Sequence, residues 1–270
     1  MGAARFRRIR TIAPTGADTL GAAGCPPGPP GPRPPGQGTR RPGWVVAVDA
    51  LGLVLFAAAA AFALGRLEAP ASWLEAAHLM LWVAAGIAAA DLLSGLVHWF
   101  ADTFLAPDTP LLGPALIAGF REHHRDPDAI TRHGVVELAG QTAAVAAPAL
   151  VAAGLVAGGG HALAAPGGVF LAALGLAAAA TNGIHLFAHR RDAPVAVAWL
   201  QRHGLVLSPE HHARHHAGDH RRSYCITTGW WNPWLDRAAF FPRLERAIRT
   251  LGAYCAGGRS RGAPPARASR

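Results

Sequence analysis

Four long runs of apolar residues occupy the middle of this sequence, and each is long enough to cross a lipid bilayer. They lie at about 44–64, 73–99, 135–156 and 169–187. The hydrocarbon core of a bilayer takes roughly 20 apolar residues of α-helix. Among 270 residues, 51% are hydrophobic and only 15% are charged, a balance too apolar for an ordinary soluble domain. The sequence therefore predicts an all-α membrane protein with four transmembrane helices.

Both ends of the chain have a composition that does not favour folding. Residues 1–43 are rich in Pro, Gly and Arg, and they cannot bury enough apolar surface to offset the entropy lost on ordering. We expect a disordered tail there, a membrane domain over residues 44–252, and a second flexible basic tail over residues 253–270. The tail arginines would suit anionic lipid or nucleic acid. A solvated tail is the simpler expectation, and we predict no nucleic-acid partner.

The placement of arginines predicts how the helices are oriented. The net charge of +9 is carried by arginines, which concentrate before the first apolar run, after the second and after the fourth. The other two loops hold only Arg66. Loops rich in Lys and Arg stay on the cytoplasmic side of a membrane. We therefore expect both termini and a histidine-rich helical cap on the cytoplasmic side of a bacterial inner membrane, and three scattered cysteines fit that reducing compartment.

Shorter apolar pieces are predicted to lie at the membrane surface. Residues 111–120 and 195–207 are too short to span and are flanked by Pro or Gly, so we expect interfacial or re-entrant segments. The three tryptophans within 230–234 suit an aromatic belt at headgroup level. The apolar residues of 241–251 fall on one helix face, which predicts either an amphipathic surface helix or a helix packed on the cap.

Histidine is concentrated in residues 208–232 and at the ends of the other long helices. Within that window His211 pairs with His215, and His212 with His216, at a spacing that places each pair on one helix face. Neutral imidazole is the commonest side-chain metal ligand, and so many rings exceed the three or four that one zinc ion takes. The predicted ligands of a two-metal site are His98, His123, His124, His185, His189, His212, His215 and His216.

Five further histidines are not among the predicted ligands. We expect His78 and His161, outside the clusters, to be plain polar anchors. For His133, His203 and His220 a ligand role and a structural role are both open.

A polar stripe marks one face of the second apolar run. Its members, spaced at i, i+3, i+4, i+7 and i+11, are Asp91, Ser94, Gly95, His98 and Asp102. At a rise of 1.5 Å per residue, Asp91 would lie about 10 Å deeper in the membrane than His98. A carboxylate inside a span is costly, so we expect Asp91 to face the protein interior and to have a partner there.

Four segments resemble, in the same order, the lipid desaturase family. They read GLVHWFADTF, FREHHRDPDAITRHGVVE, TNGIHLFAHR and EHHARHH with the later YCITTGWWN. The family includes plasmanylethanolamine desaturases of the Kua and CarF type and a plant plastid palmitate desaturase. The resemblance covers roughly residues 75–245 and leaves both tails outside it, and several separate motifs in order make it specific.

This resemblance implies a four-span enzyme with a histidine-bound di-iron centre. Such an enzyme uses O₂ and an electron donor of the cytochrome b5 or ferredoxin type. The family's functional positions carry over onto His98, Asp102, His123, His124, His185, His189, His211, His212, His215 and His216. The first motif reads His-x-x-x-Asp here, so Asp102 is either a ligand or a residue that orients one.

The function predicted from the sequence is O₂-dependent desaturation of a membrane lipid near its headgroup. The leading substrate is a 1-O-alkyl phospholipid, which would become a vinyl-ether plasmalogen. A fatty-acyl desaturase or a hydroxylase with the same centre is the alternative. A non-catalytic metal-binding or transport protein is a further one, although a transporter would place ligands near the bilayer midplane. Zinc-dependent hydrolysis is less favoured, because the ligand supply exceeds what one zinc ion needs.

Overall fold

A computed structural model describes residues 41–159 and 164–261, and every regular element in those ranges is helical. His161, residues 1–40 and residues 262–270 lie outside the described residues. The helices are α1 (Gly43–Leu64), α2 (Trp73–Phe104), α3 (Ala118–Arg125), α4 (Val135–Ala157), α5 (Ala164–Ala188), α6 (Val195–Arg202), α7 (Pro209–His216), α8 (Asn232–Arg237) and α9 (Phe240–Arg261). A π-helix (Gly113–Ile117) leads into α3, and a 3₁₀-helix (Pro127–Arg132) follows α3.

The four predicted spans are confirmed as helices that are long and apolar enough to cross a membrane, namely α1, α2, α4 and α5. Helix α5 begins five residues before its predicted start, and α2 continues five residues past its predicted end at residue 99, to Phe104. Its 32 residues make it about 48 Å long, whereas the hydrocarbon core is roughly 30 Å thick. The extension is stable because Trp99 is buried against Tyr224 and Phe241, which come much later in the chain.

The four long helices pack in an order that differs from their order in the sequence. Helix α4 lies along both α1 and α5, and α5 lies along α2, whereas α1 and α2 do not pack along each other. Small residues allow helix backbones in membrane proteins to approach closely. One example is Gly140 of α4, where an added Cβ would lie 2.4 Å from the Cβ of Asp49 in α1.

Contacts near the helix ends show which termini lie together. Asn182, near the end of α5, donates a hydrogen bond of 3.0 Å to the carbonyl of Leu138, near the start of α4. The ring of His98, near the end of α2, lies 6.4 Å from the ring of His185 in α5. The carboxyl ends of α2 and α5 therefore meet the amino end of α4, and we call this region the cap end.

Helix α9 is attached to the cap end through its first turns. Phe241 is buried, with its ring centroid 5.6 Å from that of Trp99 and 4.9 Å from that of Tyr224. Farther along, Leu251 is 63% exposed. The helix predicted over residues 241–251 thus packs on the cap at its start and presents apolar side chains outward later, and it continues past residue 252 to Arg261.

Candidate metal centre

Two groups of possible metal ligands lie side by side at the cap end. The five-histidine group consists of His123, His185, His189, His212 and His216. The mixed group consists of His98, Asp102, His124 and His215. Within each group, one ligand atom of every residue lies within 4.8 Å of those of the others. Ends of α2, α3, α5 and α7 thus supply nearly all of these side chains, with His189 directly after α5.

Neighbouring histidines divide between the two groups. His123 and His124 on α3 belong to different groups, and so do His215 and His216 on α7. Successive helix positions point in directions about 100° apart, since a turn takes 3.6 residues. Each of these helices therefore serves both groups, which holds the two groups close together. The ring centroids of His215 and His216 lie 5.5 Å apart.

Imidazole nitrogens converge in the five-histidine group. The Nε2 atom of His212 lies 2.9 Å from Nε2 of His185 and 3.0 Å from Nε2 of His216. The latter atom lies 3.0 Å from Nε2 of His123. Nε2 of His189 is buried and has no hydrogen-bond partner. Converging ring nitrogens cannot all be satisfied by hydrogen bonds to one another, because a neutral imidazole has a single N–H. One cation would satisfy them together.

A carboxylate stands at the centre of the mixed group. Oδ2 of Asp102 lies 3.4 Å from Nε2 of His98, 3.6 Å from Nε2 of His124 and 4.0 Å from Nε2 of His215. Both carboxylate oxygens and Nε2 of His98 are buried without a hydrogen-bond partner. Buried polar atoms normally have a partner, and exceptions often mark an ion site. These unsatisfied atoms fit a bound metal ion.

Two backbone carbonyls fix the tautomers of the mixed group. Nδ1 of His98 lies 3.1 Å from the carbonyl oxygen of Tyr224, and Nδ1 of His215 lies 2.8 Å from that of Arg222. A carbonyl accepts only, so each Nδ1 carries the proton and donates. Each Nε2 then keeps its lone pair, and the ring cannot rotate away. This arrangement is common for metal-ligating histidine.

Burial keeps the histidines of the cap neutral. It is the main cause that lowers the pKa of His123 to about 2, and the pKa of His124 and of His216 to about 3. The pKa of His189 falls to about 4, again mainly by burial. Metal ions bind neutral imidazole. These rings are therefore in the form that binds a metal at neutral pH.

The donor set fits two metal ions rather than one. One group offers five imidazole nitrogens, and the other offers three imidazole nitrogens with a carboxylate. Imidazole suits iron, zinc and copper, and a carboxylate suits the harder ions of that range. The residues present can therefore hold a metal cofactor at each group.

Asp91 holds an extended segment, residues 222–232, against α2. Its Oδ1 accepts the backbone N–H groups of Thr227, Thr228 and Gly229 at 3.1, 2.8 and 2.9 Å. Its Oδ2 accepts the N–H of Trp231 at 3.3 Å. The carboxylate is fully buried. The predicted inward-facing carboxylate therefore has backbone N–H groups as partners, and bonds to an ionised acceptor are stronger than neutral ones.

The same segment is fastened at two further points. The N–H of Ile226 donates to Oγ of Ser94 at 3.0 Å, and the Asn232 amide makes two hydrogen bonds of 2.9 Å with the backbone of Cys225. Gly95 allows the segment to lie close to α2, because a Cβ there would lie 2.5 Å from Sγ of Cys225. The segment carries the carbonyls that orient the mixed group, so its position sets the position of those rings.

One predicted catalytic residue, His211, lies outside both groups. Its Nε2 lies 3.3 Å from Nδ2 of Asn232, and its ring packs on Gly229. Helical spacing predicted that His211 would act with His215, but His215 reaches the mixed group whereas His211 contacts segment 222–232. The pairing of His212 with His216 is found. The structure thus brings nine of the ten predicted site residues into the two groups.

Histidines with open roles occupy varied positions. The ring of His220 stacks on His124, with centroids 4.5 Å apart, without joining either group. Nδ1 of His133 lies 3.6 Å from Glu137. Nδ1 of His203 lies 2.8 Å from a backbone carbonyl in α6. His78 accepts a hydrogen bond of 3.1 Å from an indole N–H one turn later in α2, as expected of a polar anchor.

An open cavity of about 90 Å³ leads to the five-histidine group. The buried rings of His123 and His185 form its inner part, and apolar residues of 114–120 form one wall. Glu122 and Glu137, both half-buried, line its outer part. The cavity therefore connects the five-histidine group with the protein surface.

Comparisons with known proteins agree on one group of enzymes. The profile of the lipid desaturase domain matches residues 87–257, which include every member of both ligand groups. The chain is 42% identical over 182 residues to plasmanylethanolamine desaturase of Myxococcus xanthus, covering 66% of this chain and 61% of that protein. It is 39% identical over 186 residues to plasmanylethanolamine desaturase 1 of Mus musculus, covering 67% and 69%.

A plant relative is more distant. The identity to chloroplastic fatty acid desaturase 4 of Arabidopsis thaliana is 31% over 165 residues, which cover 60% of this chain and 49% of that protein. The chain therefore spans less than two thirds of the length of the Myxococcus and Arabidopsis proteins. No solved structure matches it.

Proposed function

The chain belongs to the lipid desaturase family, and from that premise we propose that it is an O₂-dependent desaturase that converts a 1-O-alkyl phospholipid into a vinyl-ether plasmalogen. Family membership and the four long apolar helices make it a lipid-modifying oxidoreductase of the membrane. The relatives named plasmanylethanolamine desaturase support an ether lipid with an ethanolamine headgroup as the substrate.

The observation that carries this proposal is the pair of ligand groups that share helices α3 and α7. A site with eight imidazoles and one carboxylate in two adjoining sets suits two redox-active ions better than a single hydrolytic one. The groups gather at one end of the helices rather than along a path through them. That arrangement favours an enzyme over a metal transporter, whose ligands are expected near the midplane.

The reaction removes one hydrogen from each of two adjacent methylenes. It is R–O–CH₂–CH₂–R′ + O₂ + 2 e⁻ + 2 H⁺ → R–O–CH=CH–R′ + 2 H₂O. Two iron ions, held by the five-histidine group and the mixed group, would supply the activation of O₂. The protein's own contribution is to present neutral nitrogens in fixed directions, and the carbonyls of Arg222 and Tyr224 do this for His215 and His98. Asp102 would contribute the carboxylate ligand of the mixed group.

The position of the site supports oxidation close to the headgroup. His185 lies in the last turn of α5, and His98 lies two turns before the end of α2. Carbons that reach such a position from within the bilayer are those next to the glycerol. The C1–C2 bond of an ether-linked chain meets that requirement, whereas a bond in the middle of a chain would have to be brought there by a bend.

The electrons and the sidedness are part of the same proposal. We propose a donor of the cytochrome b5 or ferredoxin type, acting on the cytoplasmic side of a bacterial inner membrane. The distribution of arginines in the loops supports that orientation. Labelling of a cysteine introduced in place of Asp219, an exposed residue of the cap end, in intact cells and in inverted vesicles would test it.

Mass spectrometry of ether lipids tests the proposed reaction. A host that contains 1-O-alkyl phospholipids but no plasmalogens should gain an acid-labile product two hydrogens lighter when it expresses this protein. His124→Ala and His216→Ala should abolish the product while the protein remains in the membrane, since each removes a ligand. New double bonds only at mid-chain positions would contradict the proposal.

A fatty-acyl substrate is the second candidate. The similarity to chloroplastic fatty acid desaturase 4 favours it. An acyl product would resist mild acid, and a hydroxylated product would gain the mass of one oxygen, so the same measurement separates all three outcomes.

A further inference from the structure

Of the described residues that line the cavity beside the five-histidine group, two are glutamates and one is an arginine. We propose that Glu122 and Glu137 form a subsite for the primary ammonium of an ethanolamine headgroup, which rests on the proposed function because the lipid's ether-linked chain must then reach the histidines. Both residues line the cavity, and they come from different elements, α3 and α4. The subsite would make headgroup choice a property of these two side chains.

The charge balance around the cavity favours a cationic ligand. Among the residues that the structure describes, Arg41 is the one arginine that lines it, and this side chain already contacts Asp49, the carbonyl of Ala115 and Glu137. Asp49, the ion-pair partner of Arg41, adds a third carboxylate nearby. The described side chains here therefore carry one positive charge, on Arg41, and three negative charges, on Asp49, Glu122 and Glu137. A phosphoglycerol headgroup would add a further negative charge and be repelled. An ammonium group would reduce the imbalance.

Glu122 is the carboxylate that is more available to bind an ammonium group. It is half-buried, it lines the cavity, and among the described residues its carboxylate has neither a hydrogen bond nor an ion pair. It also precedes His123, whose ring forms the inner part of the cavity. A carboxylate that is partly removed from water gains more from a charged partner than an exposed one. Glu137, by contrast, is shared with Arg41 at 3.4 Å and His133 at 3.6 Å.

Neutral hydrogen-bonding groups also line the cavity. In an ethanolamine ether lipid, an ethylene unit, the phosphate, the glycerol and the ether oxygen separate the ammonium from the first carbon of the chain. The side-chain amides of Gln141 and Asn182 line the same cavity as Glu122 and the histidines. Neutral amides can bond phosphate, glycerol and ether oxygens without adding charge. A headgroup held at the glutamates would share one cavity with His123 and His185, which the ether-linked carbons must reach.

Ethanolamine fits this subsite better than choline does. A primary ammonium offers three N–H donors, and charge-assisted hydrogen bonds to carboxylates are about twice as strong as neutral ones. A trimethylammonium has no N–H and would gain only the Coulomb attraction. The predicted order of preference is ethanolamine, then choline, then glycerol.

A competition experiment tests the subsite. Purified wild-type protein in lipid nanodiscs receives equal amounts of 1-O-alkyl lipids with ethanolamine or glycerol headgroups. Product ratios are measured on the metal-loaded protein, and bound-lipid ratios are measured by native mass spectrometry on metal-free protein. The variants are Glu122→Gln and Glu137→Gln, and Asp108→Asn is the control, since it removes a carboxylate from an exposed loop outside the cavity.

We expect wild type and Asp108→Asn to favour the ethanolamine lipid by about tenfold, the effect of one charge-assisted hydrogen bond. Glu122→Gln should cut that preference by about fivefold, through a higher KM with little change in kcat. Glu137→Gln should lower the preference too, but it also removes an ion-pair partner of Arg41. If Glu137→Gln misfolds, the result for Glu122→Gln alone tests the subsite.

Two outcomes separate the subsite from the reaction. Equal binding of both lipids by wild type, or an unchanged preference in Glu122→Gln, would overturn the subsite even if vinyl ethers form. Selective ethanolamine binding that Glu122→Gln abolishes, with no vinyl ether from any lipid, would support the subsite and refute the proposed reaction.

Discussion

Oδ1 of Asp91 and the backbone nitrogen of Gly229 lie 2.9 Å apart, although 138 positions of sequence separate the two residues. This hydrogen bond is one of four that the buried carboxylate accepts from segment 222–232. The segment in turn supplies the carbonyls that orient His98 and His215. A carboxylate deep in a span thus acts on the metal centre through the backbone of a distant loop.

Asp91→Asn should weaken both the fold and the mixed group. The neutral amide loses the charge that strengthens four hydrogen bonds, and one of its N–H groups would face a backbone N–H. Breaking such a buried charged network costs about 3 kcal/mol or more of the free energy of unfolding. Denaturation in detergent and metal analysis would measure the two effects. The exposed Asp108→Asn is the control, and a variant with wild-type stability and full metal content would contradict the role given to Asp91.

Substitution of His212 should lower the metal content of the protein, whereas substitution of His211 should leave it unchanged. His212→Ala removes a nitrogen that lies within 3.0 Å of two other ring nitrogens, so the five-histidine group should lose its metal and activity should fall by more than about 100-fold. His211→Ala should keep both metals and lose only the contact with Asn232. Elemental analysis of the two purified variants measures their metal content. Loss of metal in His211→Ala would show that His211 is a ligand.

Asp102→Asn distinguishes a ligand from a residue that only orients one. The substitution keeps the shape and removes the charge from atoms that lie 3.4 and 3.6 Å from two ring nitrogens. Loss of an orienting partner lowers metal affinity by about 10- to 100-fold, so loss of a direct ligand should exceed that range. Metal titration followed by spectroscopy of the mixed group would show this. A decrease in metal affinity of about 100-fold or less would assign Asp102 an orienting role.

Two glycine substitutions should change stability in opposite directions. Gly140→Ala places a methyl group where Asp49 already lies, so α1 and α4 must separate, which costs about 1–3 kcal/mol. Gly183→Ala in α5 meets nothing within 4 Å and should stabilise the protein by about 0.5–1 kcal/mol, because alanine loses less entropy than glycine in a helix. Unfolding in mixed detergent measures both, and equal effects would show that α1 and α4 do not pack as described.

The sequence is most informative about features that depend on neighbouring residues. Apolar runs of spanning length predict α1, α2, α4 and α5, and the confirmed spans differ from the prediction mainly at helix ends. The i, i+4 spacing places His212 and His216 on one face correctly. The same spacing does not reveal that His211 lies outside both groups, since spacing says which residues share a helix face but not what that face contacts.

Long-range arrangements leave little trace in the sequence. The packing of α4 between α1 and α5 depends on contacts among small residues that are common throughout the spans. The carbonyls of Arg222 and Tyr224 are backbone atoms, so residue type does not reveal their role. The partner of Asp91 could not be named from the sequence either, because a carboxylate can be satisfied by an arginine as well as by backbone N–H groups.

The order of the ligands along the chain has a consequence for biosynthesis. His98 and Asp102 are made early, His215 and His216 more than a hundred residues later, and the carbonyls of Arg222 and Tyr224 later still. A nascent chain that has inserted its first two spans has no complete coordination sphere. Loading of the proposed metal centre would therefore follow translation of the whole cap, since the carbonyls that orient His98 and His215 are made last.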